Sequence, residues 1–223
     1  MAVFKTGGRF VLLMAVALLS PQIFADDFYV NYSTGSNETG DGSEQAPWKT
    51  LQFAFDSIEG TEANPHTIHL SAGFYDFPYS YKNGINPDGY ENVTGAGIAL
   101  TKIYYFRFVD IPKCQISNLE TTGFGVSDCQ EIVVKNCLIG HTMNSFDSSI
   151  VYENCIFYKI DDVFETVENS SITINNSILS KCNTVKDDPV PDIVVQYSLV
   201  EHGWPGTGNI AGDPQFIDAD GFD

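Results

Sequence analysis

The sequence predicts an all-β solenoid of stacked coils, and three observations predict it. A phrase recurs: "IVVKNCLIG" at residues 132–140 returns as "IVYENCIFY" from Ile150, "ITINNSILS" from Ile172 and "IVVQYSLVE" from Ile193. A fainter copy, "CQISNLET", begins at Cys114. Aligned on the asparagine position, the copies place Asn118, Asn136, Asn154, Asn176 and Tyr197 at steps of 18, 18, 22 and 21 residues. Repetition near twenty residues marks a solenoid. Within each copy apolar residues alternate, as at Ile132 and Val134 or Ile172 and Ile174, which is the period of a strand with one buried face. Asparagine tolerates the left-handed backbone better than any residue but glycine. Each copy therefore reads as strand, tight asparagine bend, strand, variable turn.

The elements follow in chain order. Residues 1–25 carry Lys5 and Arg9, then "FVLLMAVALLS", then "PQIFA" before Asp26. A basic start, a short apolar run and a small final residue predict a secretory signal peptide cut after Ala25. The run is short for a bilayer-spanning helix, so no membrane insertion is expected after cleavage. An N-terminal cap over residues 26–60 is expected to contain an amphipathic helix in "PWKTLQFAFDSI", with Trp48, Leu51, Phe55 and Ile58 on one face and Pro47 in its first turn. Such a helix covers the open end of a solenoid core. Coils then occupy about residues 66–217. They open with "HTIHLSAGFYDF", which alternates Ile68 and Leu70 and turns at Gly73. Residues 78–98, rich in Gly, Pro and Asn, read as an excursion from the coil.

Stacked rungs lie roughly 4.8 Å apart, so equivalent residues form columns. Cys137 and Cys155 are expected to stack with Ser177 and Ser198 as small buried side chains. A disulfide between the two cysteines is awkward, because their side chains point the same way. The five cysteines are an odd number for an exported chain, and no CxxC pair marks a metal or redox site.

Charge narrows the partners. The chain carries 11 Lys+Arg against 29 Asp+Glu, a net −18; loss of Lys5 and Arg9 with the signal peptide leaves nine cations and a net −20. Such a surface repels phosphate backbones and anionic lipid, which argues against nucleic-acid or membrane-surface binding. An acidic polysaccharide would need a bound cation or a local basic strip.

Three further segments, with the repeats, resemble the secreted right-handed parallel β-helix proteins of the pectin-lyase-like group. "FYVNYSTGSNETGDGSEQAPWKTLQFAFDSI" is similar to the group's opening strand, Asp/Gly-rich loop and capping helix, and "TIHLSAGFY" to its first strand and glycine turn. "YSLVEHGWPGTGNIAGDPQFID" resembles a rung common in bacterial members. The likeness covers most of residues 28–218. It implies a right-handed parallel β-helix, a secreted, periplasmic or cell-surface location, and association with polysaccharide. It brings no catalytic motif. The group's hydrolases use Asn-Thr-Asp, then Asp-Asp, then Gly-His-Gly. Here Asp161–Asp162 is an Asp-Asp pair, but "GHT" precedes it and no Asn-Thr-Asp exists. The pair reads as a solvated turn. The group's lyases need a base beside a uronate carboxylate, often with Ca²⁺, supplied by a lysine or arginine of lowered pKa; no motif picks one out here.

One register does stand out. Five residues past the asparagine position come His141, Lys159, Lys181 and His202. In so acidic a chain, four consecutive rungs place a basic or titratable group in one column, roughly 15 Å long at three rung spacings. Such a strip suits an anionic glycan lying along the axis and makes these four the candidate substrate-binding residues. The plain alternative is an exposed turn where any polar residue serves. The final "DADGFD" resembles the start of a calcium loop, with Asp218 and Asp220 as candidate Ca²⁺ ligands, though the downstream glutamate is missing. The resembling proteins continue past this point, and the last rung shows no covering helix or polar cap, so a truncated chain is expected. Five Asn-x-Ser/Thr sequons, at Asn31, Asn37, Asn92, Asn169 and Asn175, matter only in a glycosylating host.

Three functions fit. The first is a non-catalytic, exported glycan-binding or display module. The second is a polysaccharide lyase or glycoside hydrolase on acidic polysaccharide. The third is a structural or adhesive stalk.

Overall fold

The computed structural model describes residues 26–75, 90–141, 143–161, 163–182 and 193–216. The signal-peptide reading, Asp162 and the acids of "DADGFD" lie outside the described residues.

Every strand pairing between the named strands is parallel, and the strands form three sheets that run along one coil. The first sheet holds β1 (Asp27–Val30), β2 (His66–Leu70), β4 (Glu91–Gly95), β7 (Lys113–Ser117), β10 (Glu131–Lys135), β13 (Ser149–Glu153), β16 (Ser171–Asn175) and β18 (Ile193–Gln196). The second holds β3 (Gly73–Tyr75), β5 (Thr101–Ile103), β8 (Glu120–Thr121), β11 (Leu138–Ile139), β14 (Ile156–Tyr158), β17 (Ile178–Ser180), β19 (Leu199–Val200) and β20 (Ile210–Ala211). The third holds β6 (Phe106–Val109), β9 (Phe124–Ser127), β12 (Met143–Phe146) and β15 (Phe164–Glu168). This is a parallel β-helix. The repeat copies stack in the aligned register, with Cys114, Ile132, Ile150, Ile172 and Ile193 in one inward column.

The third sheet corrects the sequence reading, which took its residues for variable turn. Three of its four strands are followed by aspartate rather than asparagine, and they alternate over only four or five residues, too few to stand out. Glu91–Gly95 likewise belongs to the coil rather than to an excursion, pairing with β2 and β7.

Left-handed residues make the corners. Asn118, Asn136, Asn154, Asn176 and Tyr197 have φ of 57, 51, 55, 50 and 51° between the first and second sheets. A second ladder, Asp110, Asp128, Asp147 and Asn169, turns the chain from the third sheet to the first at φ of 58, 58, 47 and 50°. These short polar side chains reach the left-handed region at the lowest cost after glycine. Where a serine follows in the corner, its hydroxyl completes the backbone pairing. Ser177 Oγ accepts from Cys155 N (3.1 Å) and donates to the Asn175 carbonyl (2.8 Å). Ser198 serves Ser177 in the same way, and Ser148 and Ser170 repeat the device along the aspartate ladder. The Cys137–Cys155–Ser177–Ser198 column is thus a hydrogen-bonding ladder as well as a stack of small groups. All five cysteines are free thiols.

Aromatic rings fill the centre. Phe106 stacks on Phe124 at 5.3 Å and 6°, and Tyr152 meets Phe124 and Phe157 edge-on at 6.2 and 5.3 Å. At the N-terminal end sits α1 (Leu51–Ser57), capped by Thr50, whose side chain accepts from Phe53 N, and burying Leu51, Ala54 and Phe55. The expected helix is shorter at both ends. Trp48 bridges to Val30 and stacks on Phe28 at 5.3 Å instead, and Ile58 is extended at the C-cap.

A polar cap, not foreseen, covers the edge of β18. Thr207 O accepts from Tyr197 N (2.8 Å). Asn209 accepts from Ser198 N (3.0 Å) and donates to the Val195 carbonyl (2.9 Å). The Asn209 amide thus occupies the place that a serine of a further rung would take in the ladder.

Candidate functional site

The basic register lies just past the second-sheet strands, at the corner toward the third sheet for His141 and Lys159. Ile139, Phe157, Leu179 and Val200 are in line, so His141, Lys159, Lys181 and His202 follow two residues on in each rung. All four are exposed. The structure brings the two lysines together. Lys159 and Lys181 sit at φ 56 and 51°, and the Lys159 backbone N–H donates to the Ser180 carbonyl at 3.2 Å. Both ammonium groups hang over one ring, Tyr158, at 5.3 and 5.2 Å from its centroid. The Lys181 ammonium also donates to the Tyr158 hydroxyl at 2.8 Å. His202 lies in a turn closed by Gly203 N donating to the Val200 carbonyl (2.8 Å) and bears on Glu201. His141 occupies the register on the far side of Lys159.

This arrangement has a local cause. Of the twelve non-glycine residues with positive φ among those described, eight are Asn or Asp; Lys159, Lys181, Tyr197 and Gln215 are the exceptions. A long side chain in the left-handed region costs about 1 kcal/mol relative to its preferred backbone, and such outliers gather where geometry serves a site. Elsewhere, lysines that stack between rungs meet glutamates: Lys113 with Glu131 (2.9 Å), Lys135 with Glu153 (3.0 Å) and Lys102 with Glu120. At this corner lysine follows lysine in the column, and Glu201 of the next rung bears on Lys181.

Glu201 holds the corner's shape. Its carboxylate accepts from the Lys181 backbone N–H (2.6 Å) and from Ser180 Oγ (2.9 Å). Chiefly through that backbone bond, then the Ser180 hydroxyl, its pKa is lowered from the ordinary glutamate value. The carboxylate therefore steadies a left-handed lysine from the rung beside it.

Sequence reasoning missed Tyr158 and Glu201. Tyr158 faces outward, yet it is only 7 % exposed and belongs to no inward column. The one signal for it was an aromatic residue directly before a register lysine. Beside this corner, on the outer face of the third sheet, exposed Arg107 lies in line with Gly125, where a Cβ would stand 2.5 Å from the Tyr105 hydroxyl. Tyr105 thus folds over a position that only glycine leaves open. Asp161 is exposed, as read from the sequence.

Among the described residues, no group of three or more His, Cys, Asp or Glu side chains is placed to hold a metal ion, and no helix is long and apolar enough to cross a membrane. The Asp110–Asp128–Asp147 column is a corner ladder.

No family model matches the chain, and no curated protein is similar to it. Among solved structures, a rhamnogalacturonan lyase is similar over 85% of this chain and 60% of its own, at 12% identity and a TM-score of 0.30. The chain thus spans about 60% of that protein's length. The parallel β-helix assignment rests on the strand pairing of the chain itself.

Proposed function

We propose that this chain is an exported β-helix protein that binds an anionic polysaccharide along the corner lined by His141, Lys159, Lys181 and His202. The observation that carries the reading is the stacking of Lys159 and Lys181, in adjacent rungs, over the ring of Tyr158. Two left-handed lysines in one register concentrate positive charge on a chain of net −18. Like charges held together raise the local potential, and a polyanion relieves their repulsion. Carboxylates spaced along a uronate chain can meet successive ammonium groups, each contact charge-assisted. The coil keeps the rungs in fixed register, so little of the site has to be ordered on binding.

Calorimetric titration with polygalacturonate, alginate and a neutral glucan tests this. Binding to the uronates alone, weakened at least tenfold in a Lys159→Gln/Lys181→Gln variant, is the expected outcome. Equal affinity in the double variant and the parent would sink the reading.

One contact favours a second reading, eliminative cleavage. The 2.8 Å bond from Lys181 Nζ to the Tyr158 hydroxyl joins two groups able to pass a proton. A rise in ultraviolet absorbance from unsaturated products, lost in Lys181→Gln, would make the protein a lyase; a flat trace with binding intact leaves it a binding module. The structural stalk is distinguished by the absence of uronate binding in well-folded protein.

A further inference from the structure

Phe216 lies against Tyr158, edge-on, with ring centroids 6.0 Å apart and planes at 88°. The two residues are far apart along the coil. Phe157, Leu179, Val200 and Ala211 form one column, so β20 ends three rungs beyond the strand that bears Tyr158. Three rungs are roughly 14 Å. Residues 212–216 therefore lead from β20 back toward the rung of Tyr158, and the two aromatic side chains close the remaining distance.

The segment is built to turn back. Gln215 takes φ 54°, one of the four costly left-handed positions, and its N–H donates to the Asp213 carboxylate at 2.8 Å. This bond closes a short aspartate turn directly before Phe216. The effect falls on Tyr158: an outward-facing ring is left 7 % exposed, with two ammonium groups and one phenyl ring on it. A ligand that meets both lysines must therefore share this ground with Phe216.

We infer that residues 212–216 are a strap that occupies the ligand's place on Tyr158, so that Phe216 must lift away for a polyanion to engage Lys159 and Lys181 fully. The inference rests on the proposed glycan-binding reading of that corner. Energetically the strap is a competing conformation. Apparent affinity falls by the fraction of molecules in which the strap is open, and a variant that frees it recovers the difference.

The test compares the parent, Phe216→Ala and Gln215→Pro for binding to oligogalacturonate by calorimetry, with folding checked by circular dichroism. Proline cannot adopt the left-handed conformation and lacks the N–H given to Asp213, so Gln215→Pro releases the strap without touching either ring. Both variants are expected to bind about five- to tenfold more tightly, and the gain is expected to vanish when Lys159→Gln/Lys181→Gln is added. If parent and variants bind equally, or the variants bind more weakly, the strap is packing and the inference is overturned while the glycan reading stands. If neither the parent nor a folded strap-released variant binds, the glycan reading itself fails and takes the inference with it. Hydrogen exchange gives a second readout: oligogalacturonate is expected to speed exchange in residues 212–216 of the parent while slowing it around Lys159. Slowed exchange in both segments would overturn the strap.

Discussion

The carboxylate of Glu201 accepts from the backbone N–H of Lys181 at 2.6 Å, so an acidic side chain of one rung fixes the left-handed corner that aims a lysine of the rung beside it. The acid and the base form a positioning pair through the backbone rather than a simple ion pair. That relationship has a pH signature.

The Glu201 carboxyl is lowered below its ordinary value by the Lys181 N–H and the Ser180 hydroxyl. A group whose folded pKa is lowered contributes stability above its unfolded pKa and loses it as pH falls through the folded one. The corner is thus expected to hold at neutral pH and to loosen below the ordinary glutamate range near 4.5. Protection of the Lys181 amide, relative to its intrinsic exchange rate at each pH, should fall there in the parent, and Glu201→Gln should show low protection already at pH 7 with a flatter pH dependence. An unchanged exchange rate in Glu201→Gln would show that the bond does not hold the corner.

Ser177 provides a stability test of the corner ladder. Its hydroxyl, 2 % exposed, accepts from Cys155 N and donates to the Asn175 carbonyl. Ser177→Ala orphans a buried N–H and is expected to cost about 1–3 kcal/mol in urea unfolding. Cys155→Ser places a stronger hydrogen-bonding group in an equivalent seat, where Cys155 Sγ now reaches the Glu153 carbonyl only at 3.5 Å. That change is expected to stay within about 1 kcal/mol of the parent. A large loss for Cys155→Ser would show that volume, not hydrogen bonding, governs the column.

At Asn154, φ is 55°. Asn154→Ala is expected to destabilise by roughly 1 kcal/mol, and Asn154→Gly to sit nearer the parent, because only the former forces a Cβ-bearing residue without a compensating polar side chain into the left-handed region. Thermal melts of the two variants would separate the backbone cost from any role of the asparagine side chain.

The thiols are expected to be inert. Burial raises the pKa of Cys114, Cys129 and Cys137, takes Cys155 to about 12, and takes the half-buried Cys182 to about 11. Thiolate is the reactive form, so a disulfide reagent at pH 8 should label native protein slowly, and Cys182 first. Mass mapping of the labelled peptides checks the order; rapid labelling of Cys137 would show that the column opens.

The sequence by itself determined the coil and its register. One phrase repeated in step leads its copies to stack, because equivalent residues then bury against one another in columns. Alternating Ile and Val in that phrase then assign the buried face of the first sheet. Asn136 and Asn154 marked their own corner because few residues accept that backbone. The lysine register was legible for the same reason, since Lys159 and Lys181 keep a constant distance from the asparagines.

Tertiary structure alone decided the rest. Strands of the third sheet such as "FRFV" are too short for alternation to show, and their corner aspartates look like ordinary loop polar residues until Asp110, Asp128 and Asp147 are seen stacked. Tyr158 reads as a core aromatic until its outward direction appears. Phe216 meets it because the chain turns back after β20, and a contact made that way follows no period. The physical reason is one of range. Repetition along the chain records what each rung does to the next, whereas the Tyr158 site joins a corner to a segment that returns from beyond it.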